Sequence, residues 1–231
     1  MPIIHDEEFG KITIRRSARA SQIRVSVAPD GKLRASLPLY APLFLVTRLL
    51  KASRDELRAM IVQSQPTELY ESGMLIGKSH TLITRPSPNN SHKVWRYGQQ
   101  IIVSLPSNST LNDPEIKREL REVIISALRI EAKSYLPKRL SFLAKKYDYH
   151  YDRVRFSHAS GRWGSCSTTG TISLNIALMK LPFELIDYVI IHELTHTRHM
   201  NHSHEFWTLV GHADPDYKAH KRALKQQSPS I

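Results

Sequence analysis

The stretch HELTHTRHMNH, residues 192–202, sets His192 and His196 four positions apart with Glu193 beside the first. On a helix that spacing sends both imidazoles from one face. Two neutral imidazoles on successive turns hold one Zn2+ at about 2.0–2.1 Å per nitrogen. Glu193 points to the side of their shared face, where it reaches a metal-bound water without being a ligand. Zinc lowers the pKa of that water toward ~7. Glu193 then accepts its proton as hydroxide attacks a carbonyl, and returns it to the departing amine. The expected chemistry is metal-assisted hydrolysis.

A third protein ligand is needed, with a fourth position left to solvent. His202 stands ten residues after His192, the spacing of the extended zinc motif that ends in a third histidine. That motif has glycine where this chain has His199, so the chain must turn by other means. Asn201 is the expected turning residue, because asparagine tolerates the left-handed conformation. His199 and His204 stand as rival ligands. Random placement gives H-E-x-x-H about 0.03 times in a chain of this composition, which favours a real site over coincidence. The competing reading, satisfied core histidines, leaves two imidazoles and a carboxylate costly to bury on an apolar helix.

The elements around the motif must position it. PFELIDYVIIHELTHTRHM begins with Pro182 at a plausible first helical position and Glu184 in the first turn, where the helix dipole favours an acid. Leu185 and Val189 continue the histidine face, so that face is expected to be buried. Upstream, RVRFSHASGRWGSCSTTGTISLNIAL reads as a glycine-flexible loop leading into a strand over 171–176. This strand is expected to lie beside the helix as an edge to which an extended peptide adds. Arg162, Trp163 and Ser165 in the loop are candidates to line the cleft, with Arg162 able to pair with a carboxylate, phosphate or oxyanion. Cys166 has nothing around it, beyond Arg162, to make it a nucleophile. Phe206 and Trp207 read as core residues behind His202. Asp214 and Pro215 read as cap and first position of a closing basic helix running to about 226.

Farther back, 12–16, 23–27 and 33–37 alternate as strands, with a Pro29-Asp30-Gly31 turn between the last two. Residues 43–62 carry helical spacing, 81–85 and 100–105 read as strands, and a long helix runs from 115 to about 146, bent near Pro137. The polar stretch 106–114 is the expected boundary, dividing the chain into 1–109 and 110–231. The chain has 231 residues and a formal net charge of +12, with 15 Lys+Arg against 8 Asp+Glu up to residue 110 and 18 against 13 after it. Such a field suits polyanions, so nucleic acid or nucleotide is an expected partner through the basic surface. The lone cysteine excludes an intrachain disulfide, and no apolar run approaches bilayer length. With no signal peptide in MPIIHDEEFGK, a cytoplasmic protein without membrane attachment is expected.

Residues 162–207, through the W-G-S-C, I-S-L-N, H-E-L-x-H and N-H-x-x-x-F-W motifs, resemble the YgjP-like family of metal-dependent hydrolases. That family is grouped with M48-type metallopeptidases and related to the Wss1 and SprT-like proteases. IRVSVAPDGKLRASLP, LIGKSHTLI and DPDYKAHKRALK extend the likeness over nearly the whole chain. The resemblance implies an α+β protein: an amino-terminal β-rich hairpin region with one helix, then a zincin-like domain with a small sheet packed on the active-site helix. It implies Zn2+ held by His192, His196 and His202, with Glu193 as general base acting on a peptide or protein. A nucleotide pyrophosphatase activity attributed to the family's namesake, and a protease acting on DNA-bound proteins, are the alternatives.

Overall fold

The computed structural model describes residues 2–18, 20–28, 33–64 and 69–231. The chain is α+β and divides into two compact units, Met1–Glu68 and Leu69–Ile231. In the first, β1 (Ile3–Asp6), β2 (Gly10–Arg16), β3 (Arg24–Val27) and β4 (Leu33–Leu37) form a sheet of order β1-β2-β4-β3. Alternation along β2 and β4 buries Ile12, Ile14, Leu33, Ala35 and Leu37 against Val46, Leu50 and Leu57 of two helices. These helices are α1 (Phe44–Ala52) and α2 (Arg54–Ser64), where one helix over 43–62 is expected from spacing. The break is Ser53, whose backbone leaves the helical region while its N–H still bonds Leu49 O. The Pro29-Asp30-Gly31 turn lies outside the described residues. The strands it would join do pair antiparallel, with Val27 opposite Leu33.

In the second unit β5 (Leu75–Ile76), β6 (His80–Pro86), β7 (Lys93–Tyr97) and β8 (Gln100–Leu105) form a sheet of order β5-β6-β8-β7. Helix α3 (Pro114–Lys146) follows and runs unbroken through Pro137. Leu82, Ile101 and Val103 of this sheet share one core with Leu120, Leu128, Leu136 and Leu140 of α3. That shared core puts residues 69–105 with the second unit, so the units divide at 68/69 and not in the polar stretch at 106–114. β9 (Arg153–Ser157), β10 (Gly164–Cys166) and β11 (Thr171–Asn175) make a third sheet, followed by a 3-10 turn at Ile176–Lys180. Helices α4 (Phe183–Thr195), α5 (His204–Ala213) and α6 (Tyr217–Lys225) complete the unit. No helix among the described residues is long and apolar enough to cross a membrane.

A buried carboxylate ties α3 to the β5–β6 loop. Glu131 accepts from Lys78 N–H (2.7 Å), Ser79 N–H (2.9 Å), the Ser79 hydroxyl (2.8 Å) and His80 Nδ1 (2.6 Å). Gly77 is required beside it: its φ is +69°, and a Cβ there would overlap Glu131 Oε2. Burial pushes the Glu131 carboxyl up, but the donors from His80, Lys78 and Ser79 outweigh it and hold the group below its ordinary 4.5. A carboxyl depressed on folding contributes its stability in full above the unfolded pKa and loses it as pH falls through the folded one. Stability is therefore expected to decline below pH 4.5. Glu131→Ala, which strands these donors, should cost about 3–5 kcal/mol in urea melts at pH 7 and flatten the acid limb.

Candidate active site

Helix α4 carries the first two histidines because its apolar residues leave it no other orientation. Leu185, Ile186, Val189, Ile190, Ile191 and Leu194 are buried around most of its circumference. Pro182 serves as N-cap, one position before the expected one, and Glu184 lies in the first turn. His192 occupies the last turn and His196 is the C-cap, with ring centroids 4.9 Å apart.

Past His196 the chain reverses through tight turns: Thr197 N–H to Leu194 O at 3.0 Å, then Arg198 and His199 N–H to Thr195 O, each at 3.0 Å. Asn201 does not take the left-handed conformation expected of it, since the non-glycine positive φ values among the described residues are at Asn90 and Asp148. Short-range carbonyls accept the reversal without a positive φ. His196 Nδ1 donates to His199 O at 3.0 Å, which fixes the ring and leaves Nε2 to face the cluster. The reversal delivers His202, whose Nε2 stands 3.1 Å from His192 Nε2.

His192, His196 and His202 are the His/Cys/Asp/Glu group among the described residues that brings three candidate ligand atoms within 4.8 Å of one another. His199 and His204 fall outside it. Phe206, fully buried on α5, lies under all three imidazoles at 4.6–5.0 Å between centroids. Trp207 stacks on His202 and on Tyr217, with Lys221 Nζ 3.9 Å from its ring centroid. Both aromatics thus back the histidines, as their positions in the sequence suggest.

Glu193 is 6% exposed and its Oε2 has no hydrogen-bond partner. Burial raises its pKa to about 8, against the opposing positive charge of Arg162. Burial, with His196, His202 and Lys221 nearby, takes His192 down to about 3, and burial lowers His196 as well. Both rings are therefore neutral, the form that ligates a cation. Two nitrogens at about 2.0–2.1 Å from a tetrahedral ion stand roughly 3.3–3.4 Å apart, so the pair at 3.1 Å fits a divalent cation with little movement.

The loop before β11 reaches the site as a unit. Asn175, wholly buried, donates through Nδ2 to Ala159 O (2.6 Å) and Arg162 O (2.9 Å), while its N–H bonds Trp163 O (2.8 Å). Gly164 then passes so close to α4 that a Cβ would lie 2.6 Å from Glu193 Oε1. Trp163 and Gly164 border a cavity of about 180 Å³ with Tyr188, Val189, His192, Glu193 and Leu224. Tyr188, pushed to about 12 by burial and then by Asp214 and Glu193, keeps its proton.

Ser165 pairs with Ser173 and, by strand alternation, faces away from Gly164 and Glu193. Ser165 is not among the residues that line this cavity. Burial and the Glu193 charge raise the Cys166 thiol, so it stays protonated. β11 is the middle strand of its sheet, paired on both sides, and β10 and β9 are the edges instead, with β10 the one that carries Gly164 beside Glu193. Residues 164–166 are too few and too glycine-rich for alternation to mark them as a strand. α6 starts at Tyr217 with Asp216 as N-cap, because Asp214 is occupied by His220 Nδ1 (2.8 Å) and Asp216 N–H (3.2 Å). The sequence assigns no role to Tyr188 or Leu224, and it marks Asn175 only as the last residue of the I-S-L-N motif. Only Asn175 carried a signal, an amide at the end of an apolar alternation.

The family model for the YgjP-like metallopeptidase domain matches residues 21–227. Among solved structures the chain is similar to the metallopeptidase zymogen of Pyrococcus abyssi abylysin, at 26% identity and a TM-score of 0.36 over 39% of this chain and 91% of that one. It is also similar to the metallopeptidase zymogen of Methanocaldococcus jannaschii jannalysin, at 18% identity and a TM-score of 0.35 over 39% and 93%. No curated protein matches the chain.

Proposed function

The chain belongs to the YgjP-like family of metallopeptidases, and from that premise we propose that it is a zinc-dependent peptidase in which His192, His196 and His202 hold the ion and Glu193 is the general base. One observation carries the reading: a buried carboxyl with a free oxygen, Glu193 Oε2, stands beside three converging imidazoles. When bound, the ion supplies Lewis acidity to a carbonyl and acidifies water. Glu193 contributes a proton site poised near neutrality, whose affinity Arg162 moderates. It takes a proton as the carbonyl is attacked and gives it to the leaving amine.

The free edge of β10 supports a substrate strand, with an extended peptide lying alongside Gly164–Cys166 and its carbonyl brought toward Glu193. The cavity walled by Trp163, Tyr188, Val189 and Leu224 suits an apolar side chain of that peptide. Three imidazole donors match zinc, whereas phosphoryl chemistry on nucleotides enlists Mg2+ held by carboxylates, and among the described residues Glu193 is the carboxylate that lines this cavity. The single thiol accords with a cytoplasmic setting.

The test is to incubate zinc-loaded protein with an unfolded protein and, separately, with nucleoside triphosphates. Peptide cleavage that chelator stops and zinc restores is expected. Pyrophosphate release without peptide cleavage would overturn the reading.

A further inference from the structure

The sheet of the first unit has two unlike faces. One is the apolar face on α1 and α2; the other is turned to solvent and carries Ile3, His5, Lys11, Thr13, Arg15, Arg24, Ser26, Arg34 and Ser36. The strand register places them in rows. Thr13 is opposite Arg34 and Arg34 opposite Ser26, while Arg15 is opposite Ser36 and Ser36 opposite Arg24. Each arginine is thus flanked by a hydroxyl, and no two cations are directly opposed, an arrangement that would otherwise be unfavourable. At about 4.8 Å between strands and roughly 6.7 Å between rows, Arg15 and Arg24 stand roughly 10 Å apart with Arg34 one row along between them.

No carboxylate shares this face among the described residues. Asp6 turns back on Glu8 and Phe9 N–H, and Glu8 pairs with Arg54 and Arg58 of α2. Asp55 pairs with Arg58 as well. Lys11, Arg15, Arg24 and Arg34 have no ion-pair partner among the described residues, so their charge is directed outward.

We propose that this open face of the β1-β2-β4-β3 sheet is a binding surface for the phosphate backbone of nucleic acid. Guanidinium and hydroxyl donors side by side are the groups that hold phosphate oxygens. Among the described residues the face bears no Phe, Tyr or Trp for base stacking, and its guanidinium and hydroxyl donors lie on an open sheet with no element to enter a groove, so it binds without sequence preference and accepts a duplex. An anionic membrane fits less well, since Ile3, at the edge strand, is the face's single large apolar group to insert.

The test is fluorescence anisotropy of the full chain with a labelled mixed-sequence duplex across a salt series. The variants are Arg15→Gln/Arg24→Gln/Arg34→Gln, the same triple with Lys, and Lys133→Gln/Lys138→Gln/Lys145→Gln on exposed α3 positions as an equal-charge control. The Gln triple should weaken binding at least about tenfold and reduce the salt slope by about 2.7, at roughly 0.9 per lost phosphate contact. The Lys triple should retain binding and the α3 control should lose little. Equal loss in the control, no duplex binding at low salt, or binding of phosphatidylserine vesicles in place of duplex would overturn the proposal. None of these outcomes depends on peptide cleavage.

Discussion

Glu193→Gln is expected to lower kcat/KM for peptide cleavage by about 10²–10⁴-fold, the contribution usual for a positioned general base. Glutamine preserves the volume and planarity of the side chain but accepts no proton. The substitution does not disturb packing, because Glu193 is 6% exposed and its Oε2 makes no hydrogen bond that would be lost. A carboxyl buried without a full set of partners costs free energy, so the variant should melt at the same temperature as the parent or higher. Zinc content should be unchanged, since Glu193 stands outside the three-histidine group. An active, zinc-loaded Gln variant would remove Glu193 from the reaction.

Gly164→Ala is expected to cost at least about 10²-fold in kcat/KM, although it adds one methyl group outside the histidine cluster. An alanine Cβ would stand 2.6 Å from Glu193 Oε1, 2.7 Å from its Cγ and 2.9 Å from its Cδ. The carboxyl must therefore move, and displacement of a reacting group by about 1 Å is enough for a loss of this size. Gly161 is the control, because nothing lies within 4 Å of a Cβ placed there. Gly161→Ala should leave kcat/KM within about twofold, at the scale of an ordinary surface change. Full activity in Gly164→Ala, with zinc bound, would mean that Glu193 does not act from the position it occupies beside β10.

Much of this arrangement was legible in the chain, and the exceptions share a cause. Helix α4, its apolar face and the His192/Glu193/His196 spacing are local properties, written in residues one and two turns apart. β4 and β8 likewise follow from alternation or a short apolar run bounded by turn residues. What was not legible depends on partners distant in sequence. β1 and β7 are short and half exposed, and β7 exists because Gly98, at φ +57°, folds it back on β8. β11 looked like an edge because its alternation says nothing of β9 and β10, which cover both its sides.

The division at 68/69 was hidden for a similar reason. A polar stretch at 106–114 resembles a linker, and only the common core of Leu82, Ile101 and Val103 with α3 reveals that it is a connection within one unit. At the site, Gly164 reads in sequence as loop flexibility, whereas in space it is a close approach to Glu193. The turn after His196 shows the converse. Glycine is missing from the motif, and residue type alone points to Asn201 as its replacement, yet carbonyls of Leu194 and Thr195 accept the turn with no left-handed residue there.

The most direct test of the three-histidine centre is the zinc content of full-length protein after loading and gel filtration, measured by mass spectrometry for the parent and for His192→Ala/His202→Ala. One zinc per parent chain and close to none in the double variant is the expected result. A parent chain that takes up no zinc, or a double variant that retains it in equal amount, would contradict it.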